Sequence, residues 1–168
     1  MKRLYLLRHA KSSWKDTSLP DHDRPLAGRG RRAAKAIARH MRDNGIEPEL
    51  VLCSTARRAR ETLDRIEPAL GTGEVQLEPD LYAASAPALL ERLRSVPDRV
   101  ESVMVIGHNP GLQELGLELA RTGPAASDLA AKYPTAALAT LAFDAASWRE
   151  LDRDAAELVE LVRPRDLV

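Results

Sequence analysis

Three apolar runs in this chain each lead into residues suited to phosphate. Leu4-Tyr5-Leu6-Leu7 runs into Arg8 and His9. Leu50-Val51-Leu52-Cys53 runs into Ser54-Thr55 and then Arg57, Arg58 and Arg60. Val103-Met104-Val105-Ile106 runs into Gly107 and His108. Arginine carries a planar fork of donors that matches phosphate oxygens. Histidine acts as nucleophile, acid or base near neutral pH. Phosphoryl transfer asks chiefly for positioning and for neutralisation of charge on the equatorial oxygens. Two arginines and two histidines supply both without a metal. A single Arg-His pair after an apolar run arises readily by chance, so the weight rests on three equivalent placements.

The elements must bring those placements together. A continuous apolar run ended by polar residues reads as a buried central strand. In open α/β sheets ligands bind beyond the carboxyl ends of the strands. Parallel strands would therefore gather Arg8, His9, the arginine cluster and His108 on one edge, beside helix amino termini that favour anions. Between the runs lie helical patterns. Ala33, Ala34, Ile37, Ala38 and Met41 share one face of a helix from Gly28 to Asn44, whose opposite face carries six arginines and lysines and reads as solvated. A second helix starts near Thr55, capped by Ser54 or Thr55. On it Arg58 and Thr62 share a face at i, i+4, while Arg57 and Arg60 point elsewhere and read as surface. A short strand covers Val75 to Leu77, and a helix begins near Ser85. Asn109 reads as an N-cap with Pro110 at the first helical position. Thr122 to Thr135 is irregular with one short helix. Ala136 to Phe143 and Leu158 to Val162 read as late strands, a hairpin-like edge around Trp148. This alternation predicts a three-layer α/β/α sandwich with a mainly parallel sheet, in one domain spanning residues 1–168.

Composition narrows the function classes. Lysine plus arginine and aspartate plus glutamate each number 25, for a net charge of zero. That balance gives no reason to expect a nucleic-acid or anionic-membrane partner. No apolar run approaches the ~20 residues of a membrane span, and the start of the chain lacks a signal-peptide pattern. Cys53 is the only cysteine, which excludes an internal disulfide and agrees with a cytoplasmic location. It reads as a buried apolar residue rather than a reactive thiol. His22 and His40 read as loop and helix-surface residues. No Cys/His spacing resembles a metal site, so no metal or cofactor is expected.

The three elements together resemble the histidine phosphatase superfamily. Leu7-Arg8-His9-Ala10 is similar to its Arg-His-Gly signature, with alanine in third place. Arg58-Ala59-Arg60-Glu61-Thr62 resembles its second element, and Gly107-His108 its second histidine. The short length, Asp23-Arg24-Pro25-Leu26, Leu81-Tyr82 and Tyr133-Pro134-Thr135 look most like the SixA-type phosphohistidine phosphatases. The resemblance implies a phosphoglycerate mutase-like fold and a metal-independent phosphatase. It makes His9 the nucleophile and has Arg8, Arg58 and His108 bind the phosphoryl group. Its substrate would be phosphohistidine in a protein. A small phosphorylated metabolite such as a sugar phosphate is the alternative, and a phosphate-binding module without turnover the second. One departure stands out. The glutamate proton donor of many members would fall at Ala83, leaving Glu78, Asp80 and Asp23 as substitutes.

Overall fold

Strands β1 (Lys2–Arg8), β2 (Leu50–Ser54), β3 (Glu74–Glu78), β4 (Ser102–Gly107), β5 (Leu138–Phe143) and β6 (Glu157–Val162) form one sheet in the order β3-β2-β4-β1-β5-β6. The computed structural model describes residues 1–167. β1, β2, β3 and β4 run parallel, and β5 and β6 add an antiparallel flank. The sheet is thus mainly parallel, as the alternation of strands and helices predicts.

Alternate residues of a strand point to opposite faces, and β1 divides its apolar run accordingly. Tyr5 and Leu7 join one core with Val51 and Cys53; Leu4 and Leu6 join the other with Leu50 and Leu52. Helices α1 (Gly28–Asp43) and α2 (Arg57–Ile66) close the first face through Ile37, Met41, Leu63 and Ile66. Helices α3 (Ala86–Arg94), α4 (Gly111–Leu119) and α5 (Pro124–Ala131) close the second through Leu89, Leu93, Leu112, Leu115 and Leu129. Burial on both faces explains why the central strands read as unbroken apolar runs. Cys53 is buried, which pushes its thiol up to about 12.

Two glycines let backbone segments approach beside the strand ends. A Cβ on Gly30 would lie 2.1 Å from the Lys11 carbonyl oxygen, and one on Gly111 would lie 2.2 Å from that of Ala84. The first contact seats α1 against the loop after β1. The second seats α4 against the loop before α3.

Two local expectations need correction. Helix α2 begins at Arg57 with Ala56 before it and no side-chain cap; Ser54 and Thr55 make other bonds. Helix α4 begins at Gly111, one residue beyond Pro110, although Asn109 Oδ1 still accepts the Gln113 N–H at 3.3 Å. The late hairpin stands as expected: β5 and β6 pair antiparallel at one end of the sheet, and Trp148 lies in the stretch that joins them. It is buried, its indole N–H donates to the Val100 carbonyl at 2.7 Å, and Phe143 packs edge-on against it at 5.2 Å.

Candidate active site

The carboxyl ends of β1, β2 and β4 lie abreast, with Arg8 level with Gly107 and Cys53 level with Ile106. The chain leaving these ends lines a cleft of about 320 Å³ that includes Arg8, His9, Arg58 and His108. The imidazole rings of His9 and His108 are 5.1 Å apart.

His9 is held by backbone. Its Nδ1 lies 2.7 Å from the Ala10 carbonyl oxygen. A carbonyl only accepts, so Nδ1 carries the proton and Nε2 keeps its lone pair. Burial, the strongest influence, lowers the His9 pKa to about 3; His108, Arg58 and Arg8 add to the effect, and the bond to Ala10 opposes it. The ring is therefore neutral at pH 7. The Ala10 N–H donates to Thr62 Oγ1 at 2.9 Å, and the Thr62 hydroxyl donates to the Arg58 carbonyl at 2.7 Å. The i, i+4 relation of Arg58 and Thr62 thus ties α2 to the loop bearing His9.

His108 Nε2 pairs with Ser54 Oγ at 2.8 Å, so a residue from the end of β2 fixes a ring from the end of β4. Burial first, and then Arg58, lower its pKa to about 4. Arg8 Nη1 donates to the Tyr133 carbonyl at 3.0 Å, and its buried Nε has no partner among the described residues. Burial also lowers its pKa. The Tyr133 hydroxyl in turn donates to the Leu6 carbonyl.

Arg58 is organised by a residue that sequence reasoning missed. Its Nη1 donates to the Asp21 carbonyl at 2.7 Å, and its Nη2 to Asp21 Oδ2 at 2.9 Å. The same carboxylate accepts from Tyr82 OH at 2.5 Å and from Arg24 Nη1 at 2.9 Å. The Tyr82 hydrogen bond first, with Arg58 and Arg24, holds Asp21 well below the usual carboxylate range. Arg24 also donates to the Ser12 hydroxyl and lies 3.3 Å from the centre of the Trp14 ring. The i to i+3 spacing of Asp21 and Arg24 accounts for their ion pair, but nothing local in the sequence marks the contact of Asp21 with Arg58.

None of the three substitute carboxylates lines this cleft. Glu78 pairs with Arg92 at 2.7 Å, Asp80 lies with Glu78 beside α3, and Asp23 is exposed next to His22. Ala83 does line it, with φ +57°, in the left-handed region. Arg57 pairs with Glu61 at 3.0 Å and Arg60 donates to the Thr55 carbonyl, both outside the cleft. His22 is nearer than its loop position suggested. It bonds Thr55 Oγ1 at 3.0 Å and packs edge-on against Tyr82. His40 pairs with Glu160 across the surface.

A cation-lined cleft at the carboxyl edge of a mainly parallel α/β sheet is the architecture of a phosphoryl-handling enzyme. Residues 4–89 match the profile of the histidine phosphatase superfamily (branch 1), and the chain belongs to that family of phosphatases. An uncharacterised protein of Mycobacterium leprae is 36% identical over 95% of this chain and 100% of its own. A candidate phosphohistidine phosphatase SixA from Nakamurella multipartitia is 31% identical, with TM-score 0.83 over 97% of this chain and 96% of its own. Another from Agrobacterium tumefaciens is 30% identical, with TM-score 0.82 over 97% and 98%. Within the superfamily the chain is SixA-like, and its fold is phosphoglycerate mutase-like.

Proposed function

We propose that this phosphatase removes phosphate from phosphohistidine in proteins, through a phosphohistidine intermediate on His9. The observation that carries the reading is the neutral His9 ring, with its proton fixed at Nδ1 and its Nε2 lone pair free, in a cleft lined by Arg8, Arg58 and His108.

Arg8, Arg58 and His108 receive the phosphoryl oxygens. His9 Nε2 attacks phosphorus, a bond forms to Nε2, and the bond to the leaving imidazole breaks with its electron pair going to that nitrogen. Water then attacks the phosphorus held on His9. The Nε2–P bond breaks, the pair returns to Nε2, and phosphate leaves with the water's oxygen. Ser54 Oγ already accepts the Ala56 N–H at 3.2 Å. With the serine hydroxyl as donor to His108 Nε2, the His108 N–H stands at Nδ1 and can donate to a phosphoryl oxygen.

The leaving group decides between substrates. An imidazole takes up a proton near pH ~6.5 and departs without a dedicated acid, whereas an alkoxide needs one. Ala83 stands where the family glutamate would be, and Asp21 is ionised and engaged by Arg58. This favours a phosphoramidate over an alkyl phosphate. The names of the two solved relatives support the same substrate. Turnover of a phosphohistidine protein, a phosphohistidine peptide and several sugar phosphates by the pure protein tests the reading. A kcat/KM highest on a sugar phosphate overturns it.

A further inference from the structure

Beside the catalytic cleft lies a second pocket of about 350 Å³, lined by Lys11, Arg29, Lys132, Arg163 and Arg165. The two spaces share Lys11 and Thr135, so they adjoin across these two residues. The five cations come from the loop after β1, the first turn of α1, the segment after α5 and the stretch after β6.

Cations on a protein surface are ordinarily interspersed with carboxylates, and here they are not. Among the described residues no carboxylate lines the pocket, and none makes an ion pair with any of the five. Arg163 is anchored without being neutralised. Its Nη2 donates to the carbonyls of Asp128 and Lys132, at 3.0 and 3.1 Å. Among the described residues its buried Nε has no partner. Asp166 caps the following turn by accepting the Arg163 backbone N–H at 3.0 Å, and does not line the pocket. A guanidinium fixed by backbone carbonyls keeps its full positive charge and an unused donor.

We propose that this pocket binds acidic side chains flanking the phosphorylated histidine of the protein substrate. The inference rests on the phosphohistidine reading of the catalytic cleft. Two features favour a polypeptide over the second phosphate of a small metabolite. Five cations line the pocket, more than one additional phosphate group would engage. Between them the floor is apolar, formed by Ala33, Pro134 and Pro164. That surface suits a strand of chain carrying several carboxylates and aliphatic stems.

The test uses two synthetic phosphohistidine peptides, identical except that one carries Asp and Glu at the flanking positions and the other Asn and Gln. The full-length protein is compared with the triple variant Arg29→Ala, Lys132→Ala, Arg165→Ala, three exposed positions outside the catalytic cleft. Wild type should favour the acidic peptide by about tenfold in kcat/KM, the combined effect of a few exposed charge pairs. The preference should be carried by KM, weaken with salt, and vanish in the variant, while turnover of inorganic phosphoramidate stays unchanged. Reversing Arg29 and Arg165 to Glu should invert the preference towards a lysine-flanked peptide.

Equal turnover of both peptides by wild type overturns the pocket's role, as does a preference that survives in the triple variant. Tighter binding of a bisphosphorylated sugar, dependent on the same three residues, replaces the peptide by a small molecule and also overturns it. Absence of turnover on every phosphoramidate probe is the separate failure of the phosphohistidine reading. Binding of the fluorescently labelled, unphosphorylated acidic peptide then decides the pocket alone. Affinity lost in the triple variant supports the acidic-segment site, and no affinity in wild type refutes it.

Discussion

The floor and the rim of the cleft are built on different principles. The floor (Arg8, His9, Ser54, His108) stands at the ends of parallel strands, and backbone carbonyls or a neighbouring hydroxyl hold its side chains. Its histidines are buried and both are neutral at pH 7. The rim (Trp14, Asp21, His22, Tyr82) belongs to loops. Asp21 and Trp14 are exposed, and charge and ring contacts hold the group together. Arg58 belongs to both: its backbone carbonyl is tied to Thr62 under the floor, and its guanidinium to Asp21 at the rim. The difference teaches that burial keeps both rings neutral below, while the orientation of the Arg58 guanidinium depends on a carboxylate above.

Substitutions can break that division. His9→Ala should reduce turnover to background, since no other floor residue has a free imidazole lone pair held for attack. Rapid quenching with radiolabelled substrate should trap an acid-labile phosphoenzyme in wild type and none in this variant. Label on His108, or on Ser54, would reassign the nucleophile. Arg58→Ala and His108→Ala should each lose about 10²–10³-fold in kcat, the usual cost of one transition-state partner. Both should still acquire label on His9.

The buried floor also predicts a pH dependence of stability. Both rings titrate near pH ~6.5 in the unfolded chain, but at about 3 and about 4 in the folded one. Between these values the unfolded state binds more protons, so stability falls as pH drops from about 6.5. Chemical denaturation of wild type and of the His9→Asn, His108→Asn double variant checks this. The double variant should lose less stability between pH 6.5 and pH 4, by up to about 5 kcal/mol; parallel profiles would mean that the rings titrate normally in the fold.

At the rim the expected effects are smaller and of mixed sign. Asp21→Asn removes a negative charge from the lining of the cleft and loosens Arg58. We expect kcat to fall by about tenfold, of the order of one modest charge interaction. Inhibition by inorganic phosphate should tighten, because a competing carboxylate is gone. Weaker phosphate inhibition in this variant would show that Asp21 helps only by positioning, and that its charge does not oppose the anion.

Much of the floor was legible in the sequence because strand-end placement is a local property. An apolar run followed by Arg8-His9, or by Gly107-His108, announces both the strand and what it delivers. The i, i+4 rule likewise separated Arg58 and Thr62 from Arg57 and Arg60. Tertiary structure alone decided which carboxylate matters. Asp21, Asp23, Glu78 and Asp80 are indistinguishable by type, and only the path of the loop past α2 puts Asp21 against Arg58 and Tyr82. Ser54 was read as a helix cap, yet the adjacency of β2 and β4 gives its hydroxyl to His108. Lys11 and Arg163 lie 152 positions apart in sequence (163 − 11), and nothing local marks them as walls of one pocket. Helical and strand periods are written residue by residue; contacts across loops depend on how the whole sheet is packed.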